Sequence, residues 1–297
     1  MNTSHSTRPA PAEQQATSTA PRTVAIVTGA SRGLGLALTQ GLLSQGAHVM
    51  TIARQAQADE ASLNLAAQAG VQLKHLSADL GDPTQWPMVA QAMQDWLKHL
   101  SQQAGFKAER YLLINNAGSL GPMAQFDHLG QDAAQATAIA QTFNLNIGAV
   151  IHLSSAFVQA AEQLSKPSTQ QTAQQANHSP TAIQVINISS GAARNAYPGW
   201  AVYCASKAAL DRYSEVLQVE APFVKVVSIA PGVLDTAMQV DIRQTSSADF
   251  PNVQRFIDLH TEQALSSPTT AAQQILAYSL SPDFGSQTLQ DIRLITP

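Results

Sequence analysis

The 297-residue chain carries a single cysteine, Cys204. One thiol excludes an intrachain disulfide and a cysteine-based metal cluster. The eight histidines are scattered, with no His-x-x-x-His or comparable spacing, which argues against a metal site. There is no block of basic residues and the net charge is −4, so neither nucleic acid nor an anionic membrane is expected as a main partner. No apolar run is long enough to span a bilayer, and no internal repeat is visible. Residues 1–21 lack the apolar centre of an export signal; rich in Ser, Thr, Ala, Gln and Pro, they read as a flexible tail. What is present is 44% hydrophobic residues, enough to bury the core of one large α/β domain over 22–297.

Short apolar runs alternate with helical patterns along that stretch. Strands are expected at 23–28, 47–52, 71–76, 111–114, 183–188, 224–229 and 289–295. Strict alternation predicts a doubly wound parallel sheet of about seven strands, with right-handed crossovers and helices on both faces. A polar stretch at 166–181 falls between a helix and the fifth strand and reads as an inserted surface loop. The segment 235–262 is a candidate substrate lid, or else a surface elaboration.

The first strand runs straight into Gly29-Ala30-Ser31-Arg32-Gly33-Leu34-Gly35, and Leu34, Leu38 and Leu42 then share a helical face. Strand, glycine turn and helix form a nucleotide-binding opening, where the backbone approaches a pyrophosphate and the helix amino end favours its charge. The spacing is Gly-x-x-x-Gly-x-Gly, and no Gly-Lys-Ser/Thr follows, so it is not a P-loop. An acidic residue after the second strand would favour NAD. The chain has Arg54 there instead, and Arg32 in the glycine loop. Two guanidiniums suit a 2′-phosphate and point to NADPH, although two ordinary surface arginines would read the same way. Asp79, beside Leu80 after the third strand, is placed to reach the adenine. Asn116, Ala117 and Gly118, at the end of the fourth strand, are small or amide residues that admit a cofactor closely.

Tyr203 and Lys207 sit four apart where a helix is expected to begin, so both leave one face. A nearby ammonium group is expected to lower a phenol's pKa from about 10, which would make the pair a general acid/base for a carbonyl or an alcohol. The alternative is a solvated helix edge. Ser189 and Ser190 close the fifth strand, where a hydroxyl can stand beside the phenol or merely cap a helix. Cys204 reads as a small apolar neighbour of Tyr203.

Taken in order, Thr28 to Gly35, Asn115 to Gly118, Asn146, Ser190, Tyr203, Lys207 and Pro231-Gly232 make the chain resemble the short-chain dehydrogenase/reductase family from about residue 23 onward. The family pattern sets the serine thirteen residues before the tyrosine, selecting Ser190, and it selects Asn146 over Asn144. The resemblance implies that Ser190 and Tyr203 bind the substrate oxygen, that Lys207 also holds the nicotinamide ribose, and that Asn146 positions water for a proton relay. It implies that Pro231, Gly232 and Thr236 border the nicotinamide end of the cofactor. It further implies a homodimer through the helices following Asn146 and Tyr203, working in the cytoplasm on a small carbonyl compound.

Within the family, residues 199–209, 116–121 and 234–239 resemble sepiapterin reductases and bacterial relatives that reduce aromatic 1,2-diketones such as benzil. Asp291 falls where an aspartate anchors the pterin in sepiapterin reductases, although Gln287 replaces the usual glycine nearby and an acidic residue there can be structural. Trp200, Leu120, Met123, Met238 and Phe250 either line an apolar pocket or belong to the core. The rival readings are an NAD-linked alcohol or sugar dehydrogenase, opposed by Arg54, and a non-catalytic NADPH-sensing regulator, opposed by the presence of Ser190, Tyr203 and Lys207 together.

Overall fold

The structure is a computed structural model that describes residues 22–166 and 181–295. The tail at 1–21 and nearly all of the insertion at 166–181 lie outside the described residues. Seven strands form one sheet in the order β3-β2-β1-β4-β5-β6-β7, with every pairing parallel. They are β1 (Thr23–Thr28), β2 (His48–Ala53), β3 (Leu73–Ser77), β4 (Arg110–Asn115), β5 (Ala182–Ile188), β6 (Lys225–Ala230) and β7 (Leu289–Asp291). The central strands are β-branched, apolar and buried on both sides, as a parallel sheet between two helical layers requires.

Side chains alternate across the sheet. Val24 and Ile26 of β1 point into one core, together with α3 (Trp86–Ser101), α5 (Ala149–Ser165) and the far end of α6 (Ala201–Glu220). Ala25 and Val27 point into the other, with α1 (Gly33–Ser44), α2 (Glu60–Ala69) and α9 (Pro268–Leu280). Asp59 and Ser267 cap α2 and α9 by accepting a bond from a first-turn amide, and Pro268 occupies a position that needs no N–H. A smaller third cluster, around Trp200, Phe250 and Phe256, joins the start of α6 to α7 (Ala237–Gln244) and α8 (Val253–Thr261).

Two element boundaries differ from the sequence expectation by two residues or more, the others by one at most. The third strand starts at Leu73 rather than Val71, because Gly70 ends α2 in the left-handed conformation and 71–72 make the return. The last strand stops at Asp291, whose carboxylate accepts from Arg293 N and turns 292–294 into a short 3₁₀ turn.

Candidate active site

A cavity of about 1640 Å³ opens along the carboxyl ends of the strands. Its first half is built largely from backbone. Gly29 has φ +65° and packs so closely under β4 that a Cβ there would lie 2.8 Å from Ala117 Cα. A Cβ on Gly35 would overlap the Gly29 carbonyl, so this glycine lets α1 dock on the turn and does not itself line the cavity. Ser31, Arg32, Gly33 and Leu34 do line it. No side chain caps α1, which leaves its amino end open to an anion. Arg32 and Arg54 are exposed on the cavity rim, and neither guanidinium has a recorded partner among the described residues. Asp79 and Leu80 line the same end, with Asp79 Oδ1 accepting from Gly81 N at 2.9 Å.

Thr28 heads the segment that carries the family resemblance, but sequence reasoning gave it no role of its own. Its buried hydroxyl accepts from Asn116 N and Ala117 N, each at 3.0 Å, while Asn116 Nδ2 donates to the Thr28 and Gly29 carbonyls. This clamp holds the glycine turn against Asn116, Ala117 and Gly118 on the cavity wall. A threonine ending the first strand was the available signal.

The second half is built from side chains. Ser190 follows β5 in extended backbone and starts a 3₁₀ turn, its Oγ accepting from Ala192 N at 3.1 Å. Tyr203, in the first turn of α6, has its phenol near enough to the Ser190 hydroxyl for that group to bias its ionisation. Lys207 Nζ lies 5.9 Å from the Tyr203 ring and donates to the Ile188 carbonyl at 2.9 Å. The structure therefore brings the three predicted residues together. It reverses one expectation about them. Burial pushes the Tyr203 phenol above its ordinary value, only partly offset by the nearby Ser190 hydroxyl, and Lys207 does not lower it. Burial also lowers Lys207 to about 8, against the opposing pull of Asp211. Desolvation dominates both groups because both lie inside the protein.

Asn146 is fully buried in a π-helical turn, Asn144–Gly148, between α4 (Ala133–Phe143) and α5. Its Nδ2 donates to Ser119 O and Ser206 Oγ, and its Oδ1 accepts from Ser119 N. It is not on the cavity wall but directly behind it. A Cβ on Gly118 would stand 3.3 Å from Asn146 Oδ1 and 3.4 Å from Lys207 Nζ.

Asp211, also missed, continues the Tyr203–Lys207 stripe by one more turn. It is 5% exposed. Ser189 Oγ and Ser228 Oγ donate to its Oδ1 at 2.6 and 2.7 Å, and Arg194 Nε donates to its Oδ2 at 3.0 Å. The network ties α6 to the ends of β5 and β6. The i, i+4 spacing from Lys207 could have revealed it.

Pro231, Gly232, Thr236 and Met238 line the cavity beyond β6, as does Gln239, whose buried Oε1 has no partner. Thr236 precedes α7 but its side chain makes no capping bond. Trp200, Leu120 and Met123 line the substrate end. Phe250 does not: it is fully buried and stacks on Trp200 at 4.6 Å, so it supports the wall from behind. Asp291 is also absent from the lining. Both its oxygens are held by Arg293, through Nε at 2.9 Å and Nη2 at 2.6 Å, and it is Arg293 that reaches the cavity. Among the described residues no group of His, Cys, Asp and Glu is arranged to hold a metal ion, and no helix is long and apolar enough to cross a membrane.

Comparison with known proteins matches this arrangement. The short chain dehydrogenase family profile covers residues 23–247. A benzil reductase, (S)-benzoin forming, from Bacillus cereus is 32% identical over 254 residues, 84% of this chain and 91% of the relative. Rattus norvegicus sepiapterin reductase is 34% identical over 262 residues, 86% of this chain and 90% of the relative. Among solved structures, the KRED1-Pglu enzyme superposes with a TM-score of 0.69 at 25% identity, covering 90% of this chain and 99% of that one. With the parallel sheet, the glycine turn and the Ser190–Tyr203–Lys207 cluster in place, the chain belongs to the short chain dehydrogenase family of oxidoreductases.

Proposed function

We propose that this protein is an NADPH-dependent carbonyl reductase whose substrate is an aromatic ketone, foremost a vicinal diketone of the benzil type, reduced to a hydroxyketone. The observation that carries this reading is the convergence of Ser190, Tyr203 and Lys207 on one wall of a cavity whose other end has a glycine turn and two unpaired guanidiniums. The residues fit a dinucleotide: the uncapped amino end of α1 faces the pyrophosphate position, and Arg32 and Arg54 suit a 2′-phosphate. Thr236 and the orphaned Gln239 Oε1 supply unspent polar groups at the nicotinamide end.

When bound, a reduced nicotinamide would supply the hydride that reduces the carbonyl. The protein manages the charge that grows on oxygen. Ser190 and Tyr203 donate hydrogen bonds to it, and they are held in place before the reaction. Tyr203, which burial keeps protonated, then transfers its proton to that oxygen. Lys207, fixed beside the Tyr203 ring by its bond to the Ile188 carbonyl, has further N–H groups to offer the nicotinamide ribose. Asn146 acts by holding Ser119 and the kinked start of α5, since its carboxamide is engaged within the protein.

Between the two relatives' substrates, the paired state of Asp291 favours the diketone. A pterin offers ring donors to a carboxylate, and here that carboxylate is already taken. We also infer a homodimer through α5 and α6, whose outer faces expose Ile151, Val216 and Val219. The test is a panel including benzil and sepiapterin, assayed with NADPH and with NADH. Benzil reduction with a clear NADPH preference is expected. Turnover of neither compound with either cofactor would overturn the proposal.

A further inference from the structure

The substrate end of the cavity carries a guanidinium at the end of a row of aromatic rings. A row of rings leads outward from Tyr203. Trp200 lies 5.6 Å from Tyr203, and Tyr197 lies a further 5.2 Å from Trp200. At the end of this row Arg255 Nη1 donates to Tyr197 Oη at 3.4 Å. Arg255 is carried by α8, is exposed, and has no carboxylate partner among the described residues. Arg293, whose side chain is 60% exposed, lines the same cavity and is also within electrostatic range of Tyr197. Its charge is offset by Asp291, which frees Arg255 from competition with that carboxylate.

The lining carboxylates Asp235 and Asp241 belong to the segment entering α7 and to α7 itself. Neither is hydrogen-bonded or ion-paired to Tyr197, Arg255 or Arg293. The outer rim beside Tyr197 is therefore a donor site with spare positive charge. A guanidinium with free N–H groups recognises a carboxylate bidentately.

We infer that Arg255, with Tyr197, forms a subsite for an anionic group, so that the preferred substrate is an aromatic ketone carrying a carboxylate about one aryl ring away from the reacting carbonyl. This rests on the reductase reading and narrows its substrate class. An α-keto acid would place its carboxylate beside Ser190, too close to Tyr203 to reach Arg255. A carboxylate on the far ring of a diaryl diketone is carried outward along the row of rings, away from Tyr203 and toward Tyr197.

The experiment compares benzil with 4-carboxybenzil, using NADPH and the full-length protein. In the wild type, kcat/KM for 4-carboxybenzil should exceed that for benzil by about tenfold, the discounted effect of one exposed charge-assisted contact. Arg255→Gln should bring the ratio near one, through KM rather than kcat. Arg255→Lys should restore part of it. The ratio is the readout, so a general loss of activity cancels. Equal values in the wild type, or an unchanged ratio in Arg255→Gln, would overturn the subsite. Direct calorimetric titration of both compounds into the protein with NADP⁺ separates this from the reductase reading. Tighter Arg255-dependent binding of 4-carboxybenzil without turnover would sink the reductase and keep the subsite. Absence of any Arg255-dependent difference in binding would sink the subsite whatever the activity.

Discussion

The two halves of the cavity are built from different materials. From β1 to β4 the wall is mostly backbone: a glycine turn, an uncapped helix end, and the Asn116–Gly118 loop clamped by Thr28. From β5 to β7 the wall is side chains: Ser190, Tyr203 and Lys207, then an aromatic row and two guanidiniums. Backbone tolerates no added atom, whereas a side-chain wall can change its chemistry at one position without moving its neighbours. The first half therefore suits a ligand of constant shape and the second a variable one.

The largest expected effect lies in the second half. Tyr203→Phe removes the proton donor and keeps the ring, so kcat should fall by about 10²–10⁴-fold while NADPH still binds. Steady-state rates and cofactor titration check both parts. A mutant retaining a tenth of wild-type turnover would contradict the role given to the phenol.

Asp211→Asn tests the support beneath that chemistry. It leaves Arg194 without its buried anion, and chemical unfolding should show a loss of roughly 2–4 kcal/mol. The variant also gives a readout that stability does not. Asp211 raises Lys207, which otherwise sits at about 8, so its removal lowers Lys207 further. The alkaline limb of kcat/KM against pH should begin near 8 in the wild type and move to lower pH in the variant. Stability has the opposite slope. Lys207 titrates at about 8 when folded and ordinarily at 10.5, so across that window the unfolded chain binds more protons and this group's contribution rises with pH.

The backbone half is probed by Gly35→Ala. Alanine gains about 1 kcal/mol of helix propensity but drives a methyl into the Gly29 carbonyl, which has no room to yield. A net loss of roughly 1–2 kcal/mol, with weaker NADPH binding, is expected from thermal melts and titration. The smallest effect belongs to the rim. Arg54→Ala should reduce the NADPH-over-NADH ratio of kcat/KM by roughly fivefold, since an exposed contact to phosphate is screened. An unchanged ratio would return Arg54 to an ordinary surface residue.

The same contrast explains what could be read in the chain. The strand–glycine–helix opening is a local pattern, as is the spacing of Tyr203 and Lys207, and both stand where the sequence places them. The direction of the Tyr203 pKa was not legible, because spacing reveals the neighbour but not the burial that outweighs it. Phe250 and Trp200 look equally fit to line a pocket, yet only packing puts one behind the other. Asp291 reads as a ligand anchor until Arg293, two residues on, is seen to hold both its oxygens. The clamping role of Thr28 and the presence of Asp211 in the site were not legible because each bonds to residues outside its own segment of the chain.

Trp200 has a consequence outside chemistry. The chain has three tryptophans, and only Trp200 borders the cavity, Trp96 being packed in the core on the buried face of α3 and Trp86 lying against Gly148. Its ultraviolet emission overlaps the absorption of a reduced nicotinamide ring, so the wall that shapes the substrate end doubles as an optical antenna. Excitation of the indole, followed by blue light from the dihydropyridine, would report occupancy in real time without any label.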